Sequence, residues 1–389
     1  MYGGDKMKAV IIGAGSDLGV HIDGAHLGPL QLMNDMKPIY HGEMINLMQD
    51  EGIVKSRNLS DRKKNDVEIE RFNTALYKLE LKKMKEGLFP LTLGGDHSVA
   101  VASALADSKI NDGHVGMIWI DAHTDYNTFE TTVSGNIHGL PCAAITGWKC
   151  EELRTFFDGQ CIDPRKTVII GARSIDPWEE DNIKYSGVTV YSTEDIKKMG
   201  IKTVVDEAFK IALDRNKSVH VSYDIDVVDP DFAPGVSIPE VDGINDKEAM
   251  EILEEVLKYI NNNEINITLA ETHEALGEYD ESSAIYDKLI SENLDDVYLL
   301  IKAAERNIFL MGDYGKAKYY LDSAYEIDSF NNDILILLGF IYYSERDFEK
   351  AVLYFEKVEQ SKGASNNYMQ YYNYYYGMSE FYLSRFKKA

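Results

Sequence analysis

The chain contains 389 residues, which is enough for two domains with separate cores, and its formal net charge at pH 7 is −25. This acidic composition argues against binding to nucleic acids or to anionic membranes, because both require clustered lysines and arginines. The N-terminal residues lack the apolar core of a signal peptide, and no stretch approaches the ~18 apolar residues of a membrane-spanning helix. The three cysteines have no metal-ligand spacing and are odd in number, so we predict a cytoplasmic protein without a disulfide framework.

Short apolar runs rich in branched residues predict six β-strands. These runs are Ala9–Gly13, Phe89–Leu93, Val115–Ile120, Thr167–Gly171, Val188–Tyr191 and Val219–Tyr223. Helical patterns separate several of the strands, and they cover Glu68–Lys85, Val99–Asp107 and Thr203–Asp214. Strands that alternate with helices predict an α/β fold in which a parallel sheet lies between two layers of helices. In such folds, ligands bind at the carboxyl ends of the strands.

The first predicted strand leads into the glycine-rich segment Gly13–Gly19, which is similar to a dinucleotide-binding loop. Its third glycine, Gly19, lies one residue too late for the G-x-G-x-x-G pattern. The following stretch, His21–Pro29, has the composition of a loop rather than of a helix. We therefore predict that this segment does not bind a nucleotide.

Polar clusters follow three of the predicted strands. The clusters are Gly94–Ser98, Asp121–Asp125 and Asp224–Asp226. In an extended backbone, alternate side chains lie on the same side, so we expect Asp121, His123 and Asp125 to point in one direction. A solvated polar turn would explain one such cluster, but not three at strand ends. The sequence therefore predicts that the three loops together form a metal site.

The predicted ligands are four carboxylates and two imidazoles, without sulfur: His97, Asp121, His123, Asp125, Asp224 and Asp226. These hard donors favour Mn²⁺ over structural zinc, although Fe, Co or Ni could bind the same ligands. Six side chains suit two ions that share bridging carboxylates better than they suit one. Water between two divalent cations loses a proton near neutral pH, so hydrolysis of a poor electrophile is the predicted reaction class. The ligands alone leave phosphoester cleavage open as an alternative.

Four motifs resemble those of the ureohydrolase family, and they occur in the family's order. The motifs are Gly94–Ser98, Asp121–Asp125, Ser134–Gly139 and Ser222–Pro230. The resemblance covers roughly residues 8–260 and implies the arginase-like fold, a three-layer arrangement of a parallel sheet between helices. Asp125–Thr128 and Ser134–Asn136 are similar to the arginase loops that hold the α-carboxylate of an amino acid. The resemblance therefore implies an arginase rather than an agmatinase, because agmatine has no such carboxylate.

The resemblance also implies a role for individual residues. The six hard donors would hold two Mn²⁺ ions, and Asp125 would in addition hydrogen-bond the attacking hydroxide. His138 would pass a proton to the leaving ornithine amine, and the alternative for this residue is a histidine satisfied in the core. Asn127 and Ser134 would bind the α-carboxylate of the substrate directly, whereas Thr132 would act through water.

The sequence defines two parts of the candidate substrate site less sharply. Asp176 and Glu179 match the family's contacts to the α-amino group, but a helix N-terminus with favourable acidic residues is an equally good interpretation. The family holds the guanidinium group with a glutamate in a Glu-x-Asn-Pro-like motif, which this chain lacks. Either Glu271 replaces this glutamate or the contact is absent. The segment of Glu271, residues 267–276, is predicted to be helical because it belongs to a repeat. We therefore expect the sheet to lack an edge strand and the helix that covers it.

A helical repeat occupies the chain from about residue 263. The aromatic residues Tyr279, Tyr314 and Phe348 are spaced by 35 and 34 residues, and a small residue follows each of them three positions later. A large apolar residue follows each aromatic residue seven positions later, namely Tyr286, Leu321 and Phe355. The pattern resembles the tetratricopeptide repeat, whose period is about 34 residues. We therefore predict an arginase-like catalytic domain over residues 1–262 and an all-α repeat domain over residues 263–389.

The leading interpretation is a binuclear manganese hydrolase that converts L-arginine to L-ornithine and urea. One alternative is a ureohydrolase for another guanidino or formimino compound, of the agmatinase, guanidinobutyrase or formimidoylglutamase type. Another is a catalytically impaired metal-binding domain on a repeat-based interaction protein. Stacked helix pairs present a concave face that suits a peptide or protein partner, although three units could serve only for packing. The resemblance also implies a homotrimer, but the family's trimer contacts involve the C-terminal region that differs here.

Overall fold

Strands and helices alternate through the first of two compact units, Met1–Asn262 and Asn263–Ala389, in this computed structural model. The structure describes residues 8–389 except 38–39, 41, 57, 59–60, 260–265, 268, 271–272, 275–276, 278, 293–294, 359–365 and 387–389. No helix within these residues combines the length and the apolar character needed to cross a bilayer.

Parallel strands of the first unit form two sheets. The strands are Ala9–Gly15 (β1), Glu43–Met48 (β2), Phe89–Gly94 (β3), Val115–Ile120 (β4), Thr167–Ala172 (β5), Thr189–Ser192 (β6) and Ser218–Tyr223 (β7). The first sheet has the order β2-β1-β3 and the second has the order β6-β5-β4-β7. All pairings are parallel. The six predicted strands are present, whereas β2 was missed because its residues alternate irregularly between polar and apolar and are half-buried or exposed.

Helices cover both faces of the second sheet. The helices of the first unit are Gly28–Met36 (α1), Asp66–Lys85 (α2), Ala100–Ile110 (α3), Pro141–Ile145 (α4), Pro177–Ser186 (α5), Thr193–Met199 (α6), Ile201–Leu213 (α7) and Asp246–Leu257 (α8). Alternate residues of β4 pack into two different apolar cores. Met117 and Trp119 join the core that contains α2 and α3, whereas Ile118 and Ile120 join the core that contains α7 and α8. The predicted three-layer α/β fold is therefore confirmed.

Strands β3 and β7 are less buried than the sequence predicts. Residues of the central strands β1, β4 and β5 are fully buried, but those of β3 and β7 are half-buried or exposed. In the part of the chain that the structure describes, β3 and β7 each have a single paired neighbour. The described strands thus form two short sheets rather than one continuous sheet. The predicted loss of an edge strand near residues 264–270 stays a prediction, because part of that segment lies outside the described residues.

The described secondary structure of the second unit is helical, with turns between the helices. Its α-helices are Tyr279–Glu292, Val297–Arg306, Tyr314–Ile327, Asn332–Ser344, Phe348–Glu356 and Asn366–Phe386, and a π-helix spans Asn307–Met311. Each repeat aromatic, Tyr279, Tyr314 or Phe348, is the first residue of a helix, and Asp313 and Asp347 cap two of these helices through their side chains. The predicted small and large packing residues are all buried: Ser282, Ala317, Ala351, Tyr286, Leu321 and Phe355. The prediction of a helical repeat is confirmed.

Candidate metal centre and substrate site

The loops after β3, β4 and β7 bring three carboxylates to one imidazole nitrogen of His97. Its Nδ1 atom lies 3.0 Å from Asp121 Oδ2, 3.2 Å from Asp125 Oδ2 and 3.2 Å from Asp224 Oδ2. Despite this proximity, Nδ1 is buried and makes no hydrogen bond of acceptable geometry with the described residues. A buried imidazole nitrogen that faces three carboxylate oxygens without a well-formed hydrogen bond fits a metal site better than it fits a hydrogen-bond network.

A second cluster forms around His123 and shares one residue with the first. His123 Nδ1 lies 3.0 Å from Asp226 Oδ2 and 3.4 Å from Asp121 Oδ1. His97, Asp121 and Asp125 therefore form one group that could hold a cation, and Asp121, His123 and Asp226 form another. Asp121 uses Oδ2 in the first group and Oδ1 in the second. This is the arrangement expected of a carboxylate that bridges two cations.

Tight turns, rather than extended strands, produce this convergence. Strand β4 ends at Ile120, and Asp125 adopts a left-handed conformation with φ of +49°. Asp121 Oδ1 accepts a hydrogen bond from the backbone N–H of His123 at 2.7 Å, which folds the backbone around the carboxylate. Asp96 and Asp224 make the same contact with the N–H two residues on. The side chains of Asp121, His123 and Asp125 converge as expected. The predicted cause, alternation along an extended strand, was wrong, because turns bring them together.

The carboxylates of the centre raise the pKa values of both histidines. Burial alone would lower the pKa of His97, but the carboxylates of Asp121, Asp125 and Asp224 outweigh burial and raise it well above its usual value. The same balance raises the pKa of His123 to about 12, because Asp121 and Asp226 outweigh its burial. Each imidazole is thus held where positive charge is favoured.

The carboxyl groups show the same demand for positive charge. Burial and the negative charge of Asp121 raise the pKa of Asp125 well above its usual value. Burial together with Asp224 and Asp121 raises the pKa of Asp226 to about 7. The raised pKa values of both acids and both imidazoles show that negative charge is in excess in this cluster. Divalent metal ions would supply the positive charge that balances it. The geometry, the donor set and the electrostatics therefore all fit a binuclear metal centre.

Trp119 and Ser222 contact the candidate ligands His97 and Asp121. Trp119 donates a hydrogen bond from Nε1 to Asp121 Oδ2 at 2.9 Å, and its ring stacks on His97 with 4.0 Å between ring centroids. Ser222 Oγ lies 2.8 Å from His97 Nε2. This contact fits a neutral imidazole whose Nε2–H donates to the hydroxyl, which leaves the lone pair on Nδ1.

We expect Ser222→Ala to weaken metal binding at the His97 cluster. Without the hydroxyl, the tautomer with its lone pair on Nδ1 loses its support, and losses of this kind are typically about 10–100-fold in metal affinity. Titration of the metal-free protein with Mn²⁺ would measure the change. Ser218→Ala, on the same strand, is the matched control and should bind Mn²⁺ like the wild type. Unchanged affinity in Ser222→Ala would contradict the orienting role.

The glycine-rich loop after β1 packs against the loops of the candidate site. These close contacts account for the glycines in its sequence. Gly19 donates its backbone N–H to Asp96 Oδ2 at 2.9 Å and accepts the backbone N–H of His138 at 3.1 Å. A Cβ atom on Gly95 would lie 2.0 Å from the backbone oxygen of Ser16, so the two loops approach each other too closely for any other residue. His21–Pro29 is a loop only in part, because a short 3-10 turn and the start of α1 fall within it.

His138 lies close enough to the centre for its charges to act on the imidazole. Burial and the positive charge of His123 lower the pKa of His138 to about 4, and Asp224 and Asp121 oppose this shift. The residue belongs to a short 3-10 turn, and its side chain is half-buried. A neutral imidazole at pH 7 is a suitable proton relay, and that role stays a prediction.

The structure brings two predicted substrate contacts together and places two others on a neighbouring loop. Asn127 donates a hydrogen bond from Nδ2 to Asp176 Oδ2 at 3.0 Å. Thr132 is buried, and its hydroxyl accepts the backbone N–H of Gly135 at 3.0 Å. Ser134 is exposed to solvent. Asn127 and Asp176 thus form one polar pair, and Thr132 shapes the turn that carries Ser134.

Asp176 and Glu179 form the helix start that the sequence offered as the second interpretation. They make a capping box at the N-terminus of α5. Glu179 is only 3% exposed, and its Oε1 accepts hydrogen bonds from Thr124 Oγ1 at 2.6 Å and from Tyr126 N at 2.7 Å. Both oxygens of Glu179 therefore already have partners, because Oε2 accepts the backbone N–H of Asp176. Glu179 fixes the loop that carries Asp121, His123 and Asp125, and direct contact with a substrate stays a prediction for both Asp176 and Glu179.

The sequence reasoning missed Glu240, and its choice of Glu271 lies outside the described residues. Glu240 Oε1 lies 3.6 Å from His123 Nε2, on the opposite side of the ring from the metal cluster. Glu240 lies in an irregular loop, so periodicity could not reveal it. Its only sequence signal is an acidic residue after a proline between Asp226 and α8. Near Glu271, the described residues Ile267 and Ala270 are helical, as predicted for a repeat helix.

Comparisons of the sequence identify two families. The Arginase family profile matches residues 7–295, which extends beyond Asn262, the last residue of the first unit. The tetratricopeptide repeat profile matches residues 333–364. Arginase from Bacillus subtilis is 38% identical over 260 residues, an alignment that covers 62% of this chain and 84% of that protein. Arginase-1 from Rattus norvegicus is 35% identical over 225 residues, covering 54% of this chain and 68% of the relative.

Solved structures of arginases share the fold. Arginase from Bacillus caldovelox superposes with a TM-score of 0.60 at 30% identity, covering 65% of this chain and 87% of that one. Arginase from Bacillus cereus gives a TM-score of 0.57 at 31% identity, covering 64% and 85%. Entamoeba histolytica arginase in complex with L-ornithine gives a TM-score of 0.59 at 28% identity, covering 64% and 86%.

Proposed function

The chain belongs to the arginase family, whose members are hydrolases acting on C–N bonds of amidines, and we propose that it cleaves L-arginine to L-ornithine and urea with two Mn²⁺ ions. The observation that carries the proposal is the pair of His–Asp clusters that share Asp121. Carboxylate and imidazole donors without sulfur suit Mn²⁺. When bound, the two cations would lower the pKa of water to near neutrality and so provide the nucleophile for hydrolysis.

The side chains around the centre support a division of tasks. Asp125, which faces His97 Nδ1 at 3.2 Å, would accept a hydrogen bond from the nucleophile as well as bind a metal ion. His138, whose pKa is lowered to about 4, would be neutral at pH 7 and would relay a proton to the leaving amine. The backbone of each residue is held before a substrate arrives, because Asp125 O accepts the N–H of Ala143 and the N–H of His138 donates to Gly19 O. Such prior positioning reduces the cost of orienting the groups.

L-Arginine is favoured over agmatine by the polar residues that follow Asp125. Asn127 is on the same loop, and its amide already hydrogen-bonds the carboxylate of Asp176. We propose that Asn127 and Ser134 bind the α-carboxylate of the substrate directly and that Thr132 binds it through water. The carboxylates of Asp176 and Glu179 bind the α-amino group. The L-ornithine complex of the Entamoeba relative supports an amino-acid ligand for this family.

The experiment that tests the proposal compares urea release from L-arginine and agmatine by the Mn²⁺-loaded protein. We expect activity with arginine. Asn127→Ala should raise KM for arginine about 10-fold or more, because a hydrogen bond to a charged group is worth about 1.5–3 kcal/mol. The same variant should change activity with agmatine much less. Faster cleavage of agmatine than of arginine by the wild type would contradict the choice of substrate.

Other sequence-based assignments stay predictions. We propose a cytoplasmic location, a peptide or protein partner for the repeats, and a homo-oligomer such as the trimer implied by the resemblance. We also propose that residues 1–262 are the catalytic domain and residues 263–389 the repeat domain, consistent with the two compact units. Glu271 stays the candidate guanidinium contact.

A further inference from the structure

The imidazole of His123 lies between the metal cluster and a carboxylate that no motif includes. Nδ1 faces Asp226 Oδ2 at 3.0 Å, and Nε2 faces Glu240 Oε1 at 3.6 Å. The Glu240 side chain is 33% exposed, so it lies at the border between the centre and solvent. The separation is an ion-pair distance, and a shift of about 0.5 Å would make a hydrogen bond.

The loop that carries Glu240 is fixed to the loop that carries Asp226. Arg173, which follows β5, donates hydrogen bonds from Nη2 to the backbone oxygens of Asp226 at 2.7 Å and Glu240 at 2.8 Å. It also donates from Nε to the backbone oxygen of Val241 at 2.9 Å. One guanidinium group therefore fixes the spacing between a metal ligand and the backbone of Glu240.

Hydrogen bonds between Asp229 and residues 243–244 join the two ends of the loop that carries Glu240. Asp229 donates its backbone N–H to the oxygen of Ile244 at 2.8 Å and accepts the N–H of Gly243 through Oδ2 at 3.1 Å. A Cβ atom on Gly243 would lie 2.4 Å from Asp229 N and 2.8 Å from Arg173 Nη2. Glycine at position 243 thus permits the guanidinium group of Arg173 to pack against this backbone. The loop that carries Glu240 is therefore held by specific contacts.

We propose that Glu240 is a positioning residue that holds His123 in its metal-binding form. A histidine that binds a metal through Nδ1 carries its proton on Nε2, and a carboxylate on that side fixes both the tautomer and the ring orientation. Ser222 occupies the equivalent place at His97 Nε2. Each imidazole of the centre is therefore supported from its outer nitrogen, one by a hydroxyl and the other by a carboxylate. This inference rests on the two-metal centre of the proposed function.

Titration of the full-length, metal-free protein with Mn²⁺ alone tests the role. We expect Glu240→Gln to weaken one of the two binding steps about 10-fold and Glu240→Ala to weaken it by up to about 100-fold, while the other step changes little. Asp231→Asn removes the same charge from an exposed position of the same loop and serves as the matched control. Wild-type affinity for both ions in Glu240→Ala would overturn the proposal.

A double variant separates positioning from a general effect of charge. In a His123→Ala background, Glu240→Gln should have no further effect on the remaining Mn²⁺ step, because its target is gone. If Glu240 acted only through its charge, the remaining step would weaken in this background too, and the positioning role would be wrong. Circular dichroism of each variant would establish that it is folded.

The titration does not depend on turnover, so it is distinct from the test of arginine cleavage. Two Mn²⁺ ions bound without urea release would contradict the proposed activity while the Glu240 result still stands. A wild-type chain that binds only one Mn²⁺ ion would overturn the Glu240 inference together with the two-ion centre.

Discussion

Asp121→Asn is expected to abolish binding of two metal ions and to reduce urea release on the order of 10³-fold or more. The residue is 1% exposed and belongs to both clusters, with Oδ2 at 3.0 Å from His97 Nδ1 and Oδ1 at 3.4 Å from His123 Nδ1. Burial alone would raise the pKa of Asp121, but hydrogen bonds and positive charge from His123 and His97 outweigh burial and lower it. The group is therefore held as a carboxylate.

An asparagine at position 121 keeps the size of the side chain but removes its charge and one of its two acceptor oxygens. The remaining oxygen can accept the hydrogen bond from Trp119 or the one from the His123 N–H, but not both. We therefore expect a loss of about 1–3 kcal/mol in stability with the fold kept, while the bridge between the clusters is lost. The expected 10³-fold effect corresponds to a loss of about 4 kcal/mol of electrostatic stabilisation of the transition state.

Metal content after dialysis, Mn²⁺ affinity and urea release measure this effect together. Asp158→Asn is the matched control, because Asp158 is 82% exposed and pairs with Lys109 on the surface of the same unit. It should retain two ions and full activity. Two ions bound at wild-type affinity in Asp121→Asn would show that the clusters do not share this carboxylate.

The location of the candidate metal ligands could be predicted because two simple signals coincide in the sequence. A short apolar run marks a strand, and a hard donor within a few residues of its end lies at the carboxyl end of a parallel sheet. His97, Asp121 and Asp224 follow β3, β4 and β7 in this way, and the structure brings them together. Neither signal depends on the details of side-chain packing.

The surroundings of the ligands could not be predicted, because they depend on contacts between distant parts of the chain. Trp119 belongs to a buried strand, and only the fold shows that its Nε1–H reaches Asp121. Glu240 reaches His123 because Arg173 joins two loops through backbone oxygens, which leave no pattern in the sequence. Likewise, the left-handed Asp125 has no local signal, since aspartate adopts that conformation only occasionally.

A buried carboxyl group outside the metal centre is the basis of a prediction about stability and pH. Glu80 of α2 is 0% exposed; its Oε1 accepts a hydrogen bond from Thr92 of β3 at 2.7 Å, and its Oε2 has no hydrogen-bond partner among the described residues. Burial raises the pKa of Glu80 to about 7, opposed by the hydrogen bond from Thr92 and by the nearby Ser103 hydroxyl and His220. Asp107 adds to the increase.

The raised pKa makes the folded chain bind this proton more tightly than the unfolded chain does. Stability from this group is therefore fully present below the ordinary pKa, 4.5, and is lost as pH rises through about 7. The difference corresponds to about 3 kcal/mol, since one pKa unit is equivalent to about 1.4 kcal/mol. Glu80→Gln resembles the protonated acid in shape and charge, so the variant should lose this pH dependence and exceed the wild type in stability at pH 8.

Denaturant unfolding between pH 5 and 8, followed by tryptophan fluorescence, tests this prediction. All three tryptophans, Trp119, Trp148 and Trp178, lie in the first unit, so the signal reports the unit that contains Glu80. Other groups titrate in the same range, and the quantity to compare is the difference in unfolding free energy between variant and wild type at each pH. That difference should grow with pH for Glu80→Gln and should exceed the change seen for Glu68→Gln, a half-buried position on the same helix. A flat difference for Glu80→Gln would show that Glu80 does not bind its proton more tightly in the folded state.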